Sequence, residues 1–233
     1  PHDHLGQVIG QYLPENPKFR AMMEKSFDIL NNHPLNIRRA KEGKNKANSL
    51  WFWGAGTRPA LDSFEEKTDK RGVMISAVDL LKGIGKFSEM NVVSVEGATG
   101  YIDTNFEGKA NAAINEFKNG SELVYVHVEA PDECGHRNEV QNKVKSIGII
   151  DKLILDPVLS YLESTGEDFK ILICPDHPTP LCLKTHTNDA VPFMIYHKNG
   201  EVDGVDTFNE KTAGETGVFV EKGPTLMQSF ING

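Results

Sequence analysis

The chain has 233 residues, with 33 Asp and Glu against 25 Lys and Arg and a formal net charge of −8. That length can bury a substantial core, as one large domain or two small ones, and an acidic chain with no sustained Lys/Arg block is a poor match for nucleic acid or a membrane surface. No apolar run approaches the roughly 20 residues that cross a bilayer and no signal-peptide core opens the chain, while Cys134, Cys174 and Cys182 are odd in number and outside any C-x-x-C pair, so a soluble cytoplasmic protein with reduced thiols is expected.

Pro1-His2-Asp3-His4 carries no helix start or strand pattern, and the lack of an initiating Met suggests a fragment or a processed chain. Over 14–32, Phe19, Met22, Met23, Phe27 and Leu30 recur at three- and four-residue steps, which predicts an amphipathic helix. Pro34 breaks the chain, 35–40 reads as a short second helix, and a polar run follows to 48. Residues 49–53 read as a buried strand ending at Gly54-Ala55-Gly56, with a polar loop beyond that carries Arg58, Lys67, Lys70 and Arg71. A strand over 73–77 leads into a helical stretch at 78–81 and the glycine-interrupted segment 82–86; a further strand over 91–95 stops at Gly97-Ala98-Thr99-Gly100.

The alternation continues to the C-terminus. A helix is predicted over 106–117, and the near-unbroken apolar run 123–128 has the pattern of a strand buried on both faces. A long helix follows over 140–162 with Val144, Ile147, Ile150, Ile154 and Val158 as its apolar face, then strands over 169–174 and 191–196. Strands alternating with helices at this interval place the chain in the α/β class.

Chemistry concentrates in Asp132, His136, Asp176, His177 and His186. Two of them follow the strand over 123–128 and two follow the strand over 169–174, and ligands in open α/β sheets bind beyond the carboxyl ends of strands. Asp132 and His136 are four apart, so a helical turn projects both to one side. Pro175 and Pro178 take Asp176 and His177 out of regular pairing, and His186 returns nine residues later. Carboxylates and neutral imidazoles hold Zn²⁺ or Mn²⁺, and a metal pair can clamp both ends of a phosphoryl displacement, which points to a phosphate-handling enzyme. Each residue also has a plainer reading: Asp132 and Asp176 as helix caps or turn formers, His136 and His186 as solvated loop histidines. His127, inside an apolar run, reads as a satisfied core histidine. The three cysteines lie close by, but Asp and His already supply a full donor set.

The segments Val126-His127-Val128-Glu129-Ala130-Pro131-Asp132-Glu133-Cys134-Gly135-His136, Pro175-Asp176-His177-Pro178-Thr179-Pro180 and Thr185-His186-Thr187-Asn188-Asp189-Ala190-Val191-Pro192-Phe193 resemble the cofactor-independent phosphoglycerate mutases, archaeal-type branch, of the alkaline phosphatase superfamily. Segments 77–86 and 97–105 agree, so the resemblance spans essentially the whole chain. It implies an alkaline-phosphatase-like α/β core with a smaller inserted domain, the insert covering most of 1–95 and the C-terminal part of the core 96–233. It implies two divalent ions, Mn²⁺ or Zn²⁺: Asp132, His136 and His186 match three ligands of one, Asp176 and His177 two ligands of the other.

The implied reaction interconverts 3-phosphoglycerate and 2-phosphoglycerate through a phosphoserine. By the same resemblance Lys109 lies beside the nucleophile, although a surface helix lysine is an equal reading. Arg58, Lys82, Lys86 and His2 are expected among the substrate-binding groups, with Lys70, Arg71 and Asp3 as further candidates, because Arg and Lys make charge-assisted contacts to phosphate and carboxylate. The family's first metal-binding Asp and its nucleophilic Ser are expected upstream of Pro1; Ser76 and Thr187 are not substitutes, so this chain by itself is expected to be inactive. Alternatives are a phosphatase, phosphonate hydrolase or other phosphomutase built on the same core, or an inactive metal-binding fragment.

Overall fold

The computed structural model describes residues 4, 6–201 and 204–233; His2 and Asp3, two of the expected substrate-side groups, lie outside them. The chain divides into two compact units, Pro1–Pro59 and Ala60–Gly233.

In the first unit, helix α1 (Pro17–Leu30) starts where the Asn16 side chain accepts the Lys18 N–H at 3.0 Å and Pro17 supplies a helical φ. Helix α2 (Pro34–Lys41) repeats the device with His33 and Pro34. The strand expected over 49–53 is not formed. Leu50 N–H donates instead to the buried Ser26 Oγ at 2.9 Å, and just upstream Ala47 N–H donates to Asn36 Oδ1 at 2.8 Å. With the Leu50 donor taken up and Phe52 stacked on Phe19, the segment forms no strand.

The second unit opens with α3 (Phe64–Thr68), β1 (Gly72–Ile75), α4 (Asp79–Phe87), β2 (Asn91–Val93), α5 (Phe106–Lys118) and β3 (Leu123–Val126). The three strands form one parallel sheet in the order β2-β1-β3, with Val73 opposite Asn91 on one side and Val124 on the other. Helical crossovers α4 and α5 make the parallel pairing. Central β1 is buried on both faces, and its alternation sorts the core. Val73 and Ile75 pack with Ala113 and Val158 on one side, Met74 with Met90, Leu123 and Phe230 on the other. Edge strand β3 is less covered than its apolar run suggests, with Tyr125 exposed. β1 pairs with both β2 and β3, so all three strands lie in the second compact unit, which begins at Ala60.

Helix α6 (Ala130–His136) follows β3. Beyond it, α7 (Val140–Ile150), a π-helical turn (Asp151–Leu155) and α8 (Asp156–Thr165) form the long helix expected over 140–162. Its buried face departs from the expected one in the first half, where Val144 and Ile147 are 65% and 54% exposed and Ser146 is buried, whereas Ile154 is buried and Ile150 and Val158 pack against the core as expected. The face around Lys143 and Ser146 turns inward, where Lys143 Nζ donates to Thr179 O at 2.9 Å. The π-turn then inserts one residue, so a single stripe cannot stay on one face from 144 to 158.

Strands β4 (Lys170–Ile173) and β5 (Met194–His197) pair antiparallel in their own two-stranded sheet, with Ile173 opposite Met194. Helices α9 (Glu210–Glu215) and α10 (Pro224–Asn232) complete the unit. No helix among the described residues is long and apolar enough to cross a membrane.

Candidate metal centre

Asp132 lies in the first turn of α6 and His136 in its last. A carboxylate is favoured at that helix start by the unpaired N–H groups, and the four-residue step puts both side chains on one face, with His136 Nε2 3.3 Å from Asp132 Oδ2. The loop after β4 supplies the third group: His186 Nε2 is 3.3 Å from Asp132 Oδ1 and 3.0 Å from His136 Nε2. One ligand atom from each of Asp132, His136 and His186 lies within 4.8 Å of the others.

Two features hold this arrangement. Gly135 lets the helix approach the loop, since a Cβ there would stand 2.6 Å from Thr179 O. The loop is pinned by Thr187 N–H to Pro178 O at 3.2 Å and by a turn in which Leu183 and Lys184 N–H groups donate to Pro180 O. Lys184 is left-handed (φ 58°) and its carbonyl oxygen sits 2.9 Å from His136 Nδ1. A carbonyl only accepts, so Nδ1 carries a proton, and in the neutral ring the Nε2 lone pair faces Asp132 and His186.

Asp176 and His177 sit at the start of the same loop. Asp176 Oδ1 accepts the His177 N–H at 3.1 Å, His177 Nε2 lies 3.4 Å from Asp176 Oδ2, and the His177 ring packs on His186 with centroids 3.7 Å apart. Buried Thr179 joins the two halves: its hydroxyl donates to Asp132 Oδ1 in a short hydrogen bond and lies 3.4 Å from His177 Nδ1. Thr179 was not anticipated from the sequence. Its one sequence signal is its position between Pro178 and Pro180, which fixes its backbone beside the two ligand-type residues.

The donor set fits a divalent cation. Two imidazole nitrogens and a carboxylate converge, and one imidazole is locked by a backbone carbonyl in the tautomer that ligates. Glu129, which also groups with Asp132 and Glu133, has its carboxyl raised above the usual range by burial and then by the charges of Glu133 and Asp132. Cys134 is buried in α6, Cys174 and Cys182 are exposed, and all three are free thiols.

Of the expected cations, Lys109 is 1% exposed, not a surface lysine. Its Nζ donates to His127 O at 2.8 Å, and burial lowers its pKa to about 8, opposed by the charge of Glu129. Lys82, on α4, pairs with Asp79 at 3.3 Å, and Lys86 lies in the last turn of the same helix. Neither makes a described contact with the Asp/His cluster. Lys70 and Arg71 pair with Glu122 at 3.6 and 3.5 Å, at the amino ends of β1 and β3, and so point away from a site at the carboxyl ends. Arg58 is exposed in the first unit.

With this α/β architecture and its Asp/His cluster, the chain belongs to the metalloenzyme superfamily, whose family model matches residues 19–232. It is similar to proteins described as 2,3-bisphosphoglycerate-independent phosphoglycerate mutase. The relative from Methanosarcina barkeri is 46% identical over 97% of this chain and 58% of its own length, and the one from Methanosarcina mazei is 46% identical over 99% and 59%. A Geobacter sulfurreducens relative described as a probable enzyme of the same kind is 45% identical over 100% and 59%. The chain therefore spans a little under three-fifths of these relatives. Among solved structures, a Pyrococcus horikoshii protein superposes with TM-score 0.67 at 33% identity, covering 83% of this chain and 50% of that one. The cofactor-independent phosphoglycerate mutase of Thermoplasma acidophilum gives 0.55 at 25% identity, covering 92% and 51%.

Proposed function

We propose that this chain is the metal-binding part of a cofactor-independent phosphoglycerate mutase, interconverting 3-phosphoglycerate and 2-phosphoglycerate in the cytoplasm. The observation that carries the reading is the convergence of Asp132, His136 and His186, with His136 Nδ1 tied to the Lys184 carbonyl, in a chain 46% identical to phosphoglycerate mutases. Asp132, His136 and His186 would hold one ion and Asp176 with His177 part of a second, with Mn²⁺ or Zn²⁺ suited to these donors. Such ions lower the pKa of a coordinated nucleophile and stabilise charge on a transferring phosphoryl group.

The chain's own residues have definable work in that reaction. Thr179 orients Asp132, and the Lys184 carbonyl orients His136, so both present their donors without reorganisation. Lys109 is buried with a lowered pKa, so it can hold or release a proton at Nζ near neutral pH. The remaining assignments are Lys82, Lys86, Arg58 and His2 as substrate-binding groups. Most of 1–95 would be the inserted substrate-holding part and 96–233 the metal-binding core.

The test is ³¹P NMR of 3-phosphoglycerate incubated with Mn²⁺ and the protein as the cell makes it. Appearance of 2-phosphoglycerate is expected. Free phosphate with no 2-phosphoglycerate would replace the mutase by a phosphatase on the same core.

A further inference from the structure

His127 follows β3 and is held at three points. Its backbone N–H donates to Ile75 O at 2.9 Å, its carbonyl accepts the buried Lys109 Nζ at 2.8 Å, and its Nδ1 lies 3.2 Å from Ser76 Oγ. Ser76, 3% exposed and just past β1, also accepts the Val78 N–H on Oγ at 3.0 Å. Among the described residues the Ser76 hydroxyl proton has one acceptor in reach, His127 Nδ1, so the hydroxyl donates there while its oxygen accepts from Val78. A neutral ring that accepts at Nδ1 carries its proton on Nε2. Nε2 has no hydrogen-bond partner among the described residues. Ser76 and His127 both stand at the carboxyl end of the parallel sheet, where α/β proteins bind ligands.

We propose that His127 is a phosphate-binding residue of this site: a neutral imidazole, locked by Ser76 in the Nε2–H form, whose Nε2–H donates to an oxygen of the bound phosphoryl group. The inference rests on the phosphate-handling reading above and adds a donor that neither the metal ligands nor Lys109 provides. Burial keeps the ring's pKa below the usual histidine value, so the neutral form prevails. The charges that act on it are those of Asp176 and Asp132, opposed by Lys109 and His177. A neutral donor suits this position, since a protonated ring could not accept from Ser76. Ser76 is thereby a positioning residue, acting through the imidazole.

The test uses the chain labelled with ¹⁵N-histidine, loaded with diamagnetic Zn²⁺ and titrated with inorganic phosphate. In the unliganded chain His127 should show an unprotonated Nδ1 and a protonated Nε2, and phosphate should move the Nε2–H resonance saturably. His127→Phe should weaken phosphate binding about tenfold, the scale of a hydrogen bond to a charged group, and leave Zn²⁺ affinity unaltered. His127→Gln, whose amide NH₂ can reach the place of Nε2–H, should recover part of that loss, and Ser76→Ala should mix the tautomers and weaken phosphate binding by a smaller factor.

A protonated Nδ1 in the wild-type chain, no phosphate-dependent shift at His127, or unaltered phosphate binding in His127→Phe overturns the proposal. The outcome is separable from the mutase assay. Phosphate bound through His127 by a protein that makes no 2-phosphoglycerate sinks the mutase alone; 2-phosphoglycerate formation with phosphate binding indifferent to residue 127 sinks this inference alone.

Discussion

His136 Nε2 and His186 Nε2 approach to 3.0 Å although 50 positions separate them in the chain. Two imidazole nitrogens facing each other gain little unless one carries a proton, and His136 has already placed its proton on Nδ1, against the Lys184 carbonyl. A divalent cation uses both lone pairs together with the Asp132 carboxylate. Asp132→Asn keeps the size and removes the charge, so Zn²⁺ affinity should fall by more than roughly a hundredfold, beyond the effect of an outer-shell change. Isothermal titration calorimetry at pH 7 measures it, and wild-type affinity in the variant would show that Asp132 is not a ligand.

Thr179 gives a second, smaller test. Its hydroxyl donates to Asp132 Oδ1 and reaches toward His177 Nδ1, so Thr179→Val keeps the shape and deletes only the orienting hydrogen bond. Metal affinity should drop about tenfold, the lower end for an outer-shell partner, with circular dichroism unchanged. A loss as large as that of Asp132→Asn would mean that the loop itself has come apart.

Gly135→Ala tests the packing of α6 on that loop. The new Cβ would stand 2.6 Å from the Thr179 carbonyl oxygen and 2.8 Å from its Cγ2. Backbone has no rotamer escape, so one of the two elements must shift, at a cost of about 1–3 kcal/mol. Urea unfolding should show that loss, and metal affinity should fall with it because Asp132 and His136 ride on the displaced helix.

What the sequence revealed follows from how local each cause is. The ligand-type residues were legible because chemistry and strand-end position identify them one segment at a time, and the α/β class because β1, β2 and β3 alternate with helices. The strand expected at 49–53 failed on a non-local cause: Ser26, 24 positions back in the chain, takes up the Leu50 N–H. The apolar stripe through Val144 and Ile147 failed because α7 turns Lys143 toward Thr179 and a π-turn resets the register, and no periodicity records a π-turn. The hydrogen bond of His127 to Ser76 spans 51 positions, so no local pattern records it.

Helix α4 holds two glycines with opposite expectations. A Cβ on Gly83 would meet nothing within 4 Å, so Gly83→Ala should stabilise by about 0.5–1 kcal/mol through helix propensity alone. A Cβ on Gly85 would stand 2.9 Å from Val92 Cγ2 and 3.0 Å from Met74 Cβ, where α4 lies on β1 and β2. Gly85→Ala should therefore destabilise by about 1–3 kcal/mol. Thermal unfolding followed by far-UV circular dichroism separates the two, and equal shifts would show that α4 does not pack on the sheet through Gly85.

Lys109 should make stability depend on alkaline pH. Burial lowers its pKa from the ordinary value of 10.5 to about 8 in the folded chain. Below pH 8 both folded and unfolded chains carry the proton, and the full cost of burying the charge is present. Between about 8 and 10.5 the folded chain has released a proton that the unfolded chain still binds, so folding becomes more favourable as pH rises. The stability of wild type relative to Lys109→Met should therefore climb across that window, by at most about 1.4 kcal/mol per pH unit for one proton. Far-UV circular dichroism is the suitable probe, since both tryptophans, Trp51 and Trp53, lie in the first unit and would not report on α5. Taking the difference from Lys109→Met cancels the tyrosines and other groups that titrate in the same range. A difference that stays flat from pH 7 to 10 would mean that Lys109 keeps its proton in the folded chain and cannot exchange one near neutrality.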